Sequence, residues 1–283
     1  MVSLMGDAMT FRWSEQDKSE LEVAVKNLEV PSFMTRATDL IGTPIEAGLK
    51  MLPEGAQEKI AKATHVALDK AMSAALLSLQ DRSQRGASPW LHTGAVAATG
   101  ALGGFFGISA LLAELPVTTG IMLRSIADIA RSEGEDLSAP NCAMACMEVF
   151  ALGSPATKND DEADTGYFAV RAALAAHVRQ AAEYLAKTET AKGSAPVLVK
   201  LITVIAARFN ITVSEKAMLQ LVPVVGAAGG AIINTLFIST YQDLARGHFT
   251  IRRLERTYGA EEVRLRYNEV RTSLGLLTKP KAA

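Results

Sequence analysis

Two cysteines in 283 residues leave this chain without a disulfide framework. Cys142 and Cys146 stand four apart in a helical pattern, one turn from each other, with no histidine or carboxylate partners at metal-ligand spacing. They are expected to be two plain buried thiols in a reducing compartment. Aromatic residues are scarce at 6%, so the core must be built from Ala, Val, Leu, Ile and Gly, which suit close helix packing. Neither sign of charge dominates: Lys plus Arg total 29, Asp plus Glu total 30, and the net charge is −1. That balance excludes nucleic acid as the main partner. The first twenty residues lack a basic segment followed by a continuous apolar one, so no secretory signal is expected. The expected setting is cytoplasmic, including the inner face of the cell membrane.

Catalytic signatures are missing too. No phosphate-binding loop or nucleophile elbow occurs, and "GALGGFFG" fails the Gly-x-Gly-x-x-Gly order and follows no strand. The four histidines, His65, His92, His177 and His248, show no paired metal spacing. No catalytic residue, metal or cofactor is assigned. Strand signals are nearly absent as well, which leaves an all-α protein.

Helical periodicity runs through most of the chain. Ser14 with Asp17 starts one helix, striped by Leu21, Ala24, Val25 and Leu28 and ended by Pro31. Pro53 opens a longer one, and a short helix is expected over Pro140 to Leu152. Residues 81–90 form a polar turn, and 153–166 are an acidic loop with no calcium-loop spacing. An amphipathic helix follows from Asp164, then a linker at 187–196, then two helices over Pro196 to Phe209 and Ser214 to Leu221.

Two charge-free runs dominate what is present. Between Arg85 and Glu114 lie 28 residues without Asp, Glu, Lys or Arg, and between Lys216 and Asp243 lie 26. Both exceed the ~20 residues that cross a hydrocarbon core. The apolar residues of Thr93 to Ala113 supply only roughly −2 to −4 kcal/mol toward insertion, and Gly94, Gly100, Gly103, Gly104 and Gly107 oppose it. Pro223 and Asn234 weaken the second run. Gly100 with Gly104, and Gly226 with Gly230, sit one turn apart and let helix backbones approach closely. The runs are therefore expected to be two Gly-rich apolar central helices inside a multi-helix single domain, not membrane spans.

Each run ends in a similar motif, "DIAR" at Asp128 to Arg131 and "DLAR" at Asp243 to Arg246. "LAELPVTTGIMLRSIADIARSEGED", followed downstream by "LVPVVGAAGGAIINTLFISTYQDLARGHFTIRRLERTYG", resembles the EcsC protein family. "CMEVFALGSP" and "TGYFAVRAAL" between them also fit. The resemblance covers roughly residues 50 to 270. It implies a helical domain over 51–275, preceded by a helical extension at 1–50 and followed by a flexible tail at 276–283. The family takes its name from a bacterial gene beside an ABC-transporter pair and has no established activity, so the resemblance implies a fold and a setting rather than a reaction.

Two polar constellations are candidates for a pocket. Glu114, Arg124, Asp128 and Arg131 surround Pro116, which frees a backbone carbonyl and can bend a hairpin. Asn234, Asp243, Arg246 and His248 follow the second run, and a buried Asn234 needs a hydrogen-bond partner. Either the polar groups satisfy one another and fix helix register, or they line a ligand pocket. Residues 244 to 272 hold seven arginines, four glutamates and no lysine. Arg252, Arg253 and Arg256 there are either an anionic docking face or an intramolecular clamp.

Two functions remain open. One is a non-enzymatic protein at the cytoplasmic membrane face, binding lipid, an apolar or anionic ligand, or a membrane (transporter-associated) partner. The other is a hydrolase-like enzyme using Glu114 or Asp128 with Arg124 on a lipid-like substrate.

Overall fold

A computed structural model describes residues 13–29, 33–41, 53–80, 107–154, 166–188, 193–220 and 226–276. Among the described residues there are nine helices and no strand. They are α1 (Glu15–Glu29), α2 (Phe33–Ile41), α3 (Ala56–Gln80), α4 (Gly107–Ser132), α5 (Pro140–Leu152), α6 (Tyr167–Lys187), α7 (Pro196–Gln220), α8 (Gly226–Tyr258) and α9 (Ala260–Ser273).

Local chemistry sets several boundaries. Ser14 caps α1: its Oγ accepts the Asp17 N–H at 3.0 Å and donates to Asp17 Oδ2 at 2.6 Å. Pro140 opens α5, where its missing N–H costs nothing. Gly259, at φ 89, turns the chain between α8 and α9, a conformation that disfavours other residues.

The frame is a parallel pair, α4 and α8. Their polar links keep one register: Gln242 donates to Ser125 Oγ at 2.8 Å, and further along Arg252 reaches Glu135 just past α4. α8 has 33 residues and so runs about 50 Å. α7 runs antiparallel to α8, packing Phe209 against Phe237 and Tyr241. α5 also runs antiparallel to α8, with Cys142 and Arg252 in the wall of one cleft and Gly153 against Tyr241. The core centres on Phe33, Phe150, Phe209, Phe237 and Tyr241, in edge-to-face and tilted contacts.

Several expectations are corrected. Pro116 neither breaks nor turns the chain; it lies inside the single helix α4. A proline there costs ~3 kcal/mol, which burial of Leu111, Leu115, Met122 and Ile126 on the same helix outweighs. The two helices expected over 196–221 are one, α7, because Phe209, Thr212 and Val213 are all buried and hold it continuous. Close backbone approach occurs at Gly247, where an added Cβ would lie 2.6 Å from Leu28 Cγ and 3.0 Å from the Ala24 carbonyl. α1 therefore packs directly on α8. Gly100, Gly103 and Gly104, Pro223, the polar turn at 81–90, most of the acidic loop and the 277–283 tail lie outside the described residues.

Among the described residues, α7 alone is long and apolar enough to cross a membrane by length and composition, with 44% of that stretch buried. It also carries Arg208 and Lys216, both buried.

Candidate functional site

The pocket residues expected from sequence separate into four places. The first is built on Lys216, fully buried four residues before the end of α7. Its ammonium donates to Glu114 Oε1 at 3.0 Å and Asn234 Oδ1 at 2.8 Å, and lies 4.8 Å from the Phe237 ring centroid. Thr118 adds a hydrogen bond to the same Glu114 oxygen at 3.1 Å. Burial pushes the Lys216 pKa below its ordinary value while Glu114 opposes that shift. Glu114 and Asn234 thus meet, through a lysine the sequence reading did not select.

Arg124, Asp128 and Arg131 are elsewhere. They form loose ion pairs at 3.9 and 3.7 Å, with Asp128 and Arg131 more than half exposed. Ten residues of helix separate Arg124 from Glu114, about 15 Å along the axis. Glu114 thus pairs with Lys216, apart from the Arg124–Asp128–Arg131 group on the same helix.

Asp243 makes a third group, accepting from Arg36 at 2.8 Å and Arg246 at 2.9 Å. The fourth surrounds His248, which is fully buried. Its Nδ1 lies 3.0 Å from the Tyr167 hydroxyl; its Nε2 has no hydrogen-bond partner and stands 3.9 Å from Glu148 Oε2. Burial, then the Arg171 and Arg252 charges, hold His248 well below the ordinary histidine value. Burial raises Glu148 to about 7. Beside the pair, Arg171 makes a bidentate bridge to Glu255 at 2.7 and 3.1 Å. Glu148 was legible as the only charge in an otherwise apolar α5, and the sequence reading passed it over.

Arg252, Arg253 and Arg256 are engaged within the chain. Arg252 holds Glu135, itself 8% exposed, through bonds of 2.8 and 3.1 Å. Arg253 joins Asp17 and Glu133, each at 2.9 Å, and Glu20. Arg256 bonds Glu135 and the Glu133 carbonyl. Tyr258 stacks on Trp13 at 4.3 Å and donates to Asp17. The Ser14 and Tyr258 hydrogen bonds, with Arg253, bring Asp17 down to about 2. The three arginines form the clamp, not an open docking face: they tie the far end of α8 to α1 and to the turn after α4.

Charge is therefore unevenly spread along the molecule. At the Lys216 end, α4 over residues 107–113, α7 over 217–220 and α8 over 226–233 carry no charged side chain, and Ile232 is 46% exposed. α3 runs antiparallel to α7, with Thr64 bonded to Asn210 and Ser73 beside Gly193, so its charged start lies toward this end. At the other end stand the clamp and the Arg171–Glu255 bridge. Among the described residues no group of three or more His, Cys, Asp or Glu side chains is placed to hold a metal ion.

Among the described residues this geometry defines an all-helical domain with buried ion pairs as ties. The chain belongs to the EcsC protein family, whose model matches residues 15–254. That match takes in α1 and α2, further toward the N-terminus than the motifs alone suggested. No curated protein and no solved structure matches the chain.

Proposed function

We propose that this EcsC-family protein is a non-enzymatic protein of the membrane surface, which enters the lipid with the charge-free tips of α4, α7 and α8. One observation carries the reading. Beyond Glu114, Lys216 and Asn234 the ends of α4, α7 and α8 hold no charge, and the charged start of α3 stands beside them. The sequence segments joined to those ends, 86–106 and 221–225, hold none either. Charged side chains at a bilayer centre cost ~2.5–3.5 kcal/mol each, so helix tips without them are the part of the molecule lipid tolerates.

The enzymatic alternative finds less support. Glu114 is neutralised by Lys216, Arg124 is remote from it, and Asp128 stands exposed between two arginines.

Flotation with vesicles of neutral lipid, in high salt, tests the proposal. Entry through apolar contact survives salt, which screens charge attraction. The native chain should float with the vesicles, and Ile232→Asp should float less at an unchanged melting temperature. Failure of the native chain to bind neutral or anionic vesicles would overturn the reading.

A further inference from the structure

The charge-free tips of α4 and α8 continue into one face of that helix pair. On α4, Val117, Gly120 and Ile121 are half-buried, and a Cβ added at Gly120 would meet nothing within 4 Å. On α8, Thr235 is exposed, and Ile238 and Ser239 are half-buried. Gln242 continues the α8 row and bonds Ser125, one turn beyond Ile121, so the two rows lie side by side. Before Arg124, α4 carries a single charged residue, Glu114, whose carboxylate is turned to Lys216. α8 carries none before Asp243.

The two charge-free lengths match and end at one level. From residue 107 to 124, and from 226 to 243, is 17 residues each, or about 26 Å of helix. Charges at the surface follow on both helices: Arg124, Asp128 and Arg131 on α4, Asp243 and Arg246 on α8. Arg124 and Arg131 stand 3.9 and 3.7 Å from Asp128, beyond hydrogen-bond length, and a guanidinium fork so placed suits a lipid phosphate. We infer, resting on the membrane reading above, that this α4–α8 face lies along the acyl chains of one leaflet, with Arg124, Arg131 and Arg246 at its phosphates.

The neighbouring helix sets the tilt. α3 packs on α4 and α7, and α8 packs on the other side of α4. Thr64 of α3 meets Asn210, six residues before Lys216, so residue 58 stands level with Glu114. Glu58, Lys59 and Lys62 are exposed. They therefore lie only about 10–17 Å in from the tip of α4. An upright molecule sunk to Arg124 would carry these three charges into hydrocarbon, which opposes entry. An inclined one keeps them on the water side. A leaflet supplies about half of the ~30 Å hydrocarbon core, which ~26 Å of helix crosses at about 35° to the membrane plane.

A phosphatidylcholine carrying a photoactivatable diazirine in its acyl chain tests the inference on the native full chain. The expected labels fall in residues 117–121 and 235–239, and residues 57–66 are spared. Single tryptophans report the same contrast. Val117→Trp on α4 and Ala61→Trp on α3, each with Trp13→Phe and Trp90→Phe, stand at one level on different helices. Vesicles of lipid brominated in the acyl chains should quench the first and not the second. Equal labelling or quenching on α3 means upright entry and overturns the inference. Labels confined to residues 107–112 and 226–232 also overturn it, and leave entry of the tips intact. A native chain that binds no vesicle removes the membrane reading itself, and this inference with it.

Discussion

Lys216 and Glu114, 102 positions apart in sequence, meet at 3.0 Å and tie α7 to α4 beneath the charge-free tips of the two helices. Lys216 is wholly buried while the Glu114 side chain keeps 22% of its surface. An ammonium in that position is tolerable only with its carboxylate, amide and ring partners in place.

Removing one partner should therefore cost more than removing both. Glu114→Gln leaves the lysine charge buried and is expected to destabilise by about 3 kcal/mol. Adding Lys216→Met should recover part of that loss. Urea denaturation of the two singles and the double closes the cycle; strict additivity would contradict the coupling.

The α1–α8 crossing makes a sharp packing prediction. Gly247→Ala places a methyl against the Ala24 carbonyl and Leu28, an overpacking expected to cost ~1–3 kcal/mol. Gly120→Ala, whose Cβ would meet nothing within 4 Å, is expected to be neutral or to stabilise by up to ~1 kcal/mol. Thermal melts of the pair check the contrast, and equal shifts would refute the close crossing.

Arg252 should behave as a structural tie. Arg252→Gln leaves the nearly buried Glu135 short of a partner and is expected to lose ~2–4 kcal/mol. Arg266→Gln, on exposed i,i+4 and i,i+3 pairs, should change stability by less than ~0.5 kcal/mol. A neutral Arg252→Gln would return that arginine to a surface role.

Glu148 gives a pH signature. Native Glu148 keeps its proton to about 7, while the unfolded chain releases it near 4.5. Between those values the native state binds more protons, so raising the pH costs stability, by about 3 kcal/mol across the window. The depressed His248 works in the opposite sense, losing stability as pH falls below 6.5. Glu148→Gln removes only the first effect, so it should gain on the native chain between pH 5 and pH 8. A difference independent of pH would show that Glu148 titrates normally.

Much of the fold was legible because helices advertise themselves locally. Ser14 with Asp17, Pro140 and the apolar stripes mark helix starts and faces that the structure contains. Pro116 and the 209–214 stretch misled, because tertiary burial outweighs local helix propensity. The polar sites were less legible. Asn234 stood out as a polar interruption in an apolar run, yet its partner Lys216 belongs to another helix and follows from packing alone. Glu135, Glu133, Asp17 and Glu20 likewise converge on the arginines of α8 from two distant segments. Charge counts along the chain cannot tell an arginine held in such a clamp from one facing water.

The central claim is that the charge-free tips of α4, α7 and α8 enter lipid, and residue 232 reports on it most directly. A single tryptophan at that position, from Ile232→Trp with Trp13→Phe and Trp90→Phe, should be quenched by vesicles of lipid brominated in the acyl chains. Native Trp13, 5% exposed and stacked on Tyr258 at the clamp end, should escape quenching when it is the only tryptophan, with Trp90→Phe. Equal emission from residue 232 in brominated and unbrominated vesicles, with the protein bound, would contradict the account.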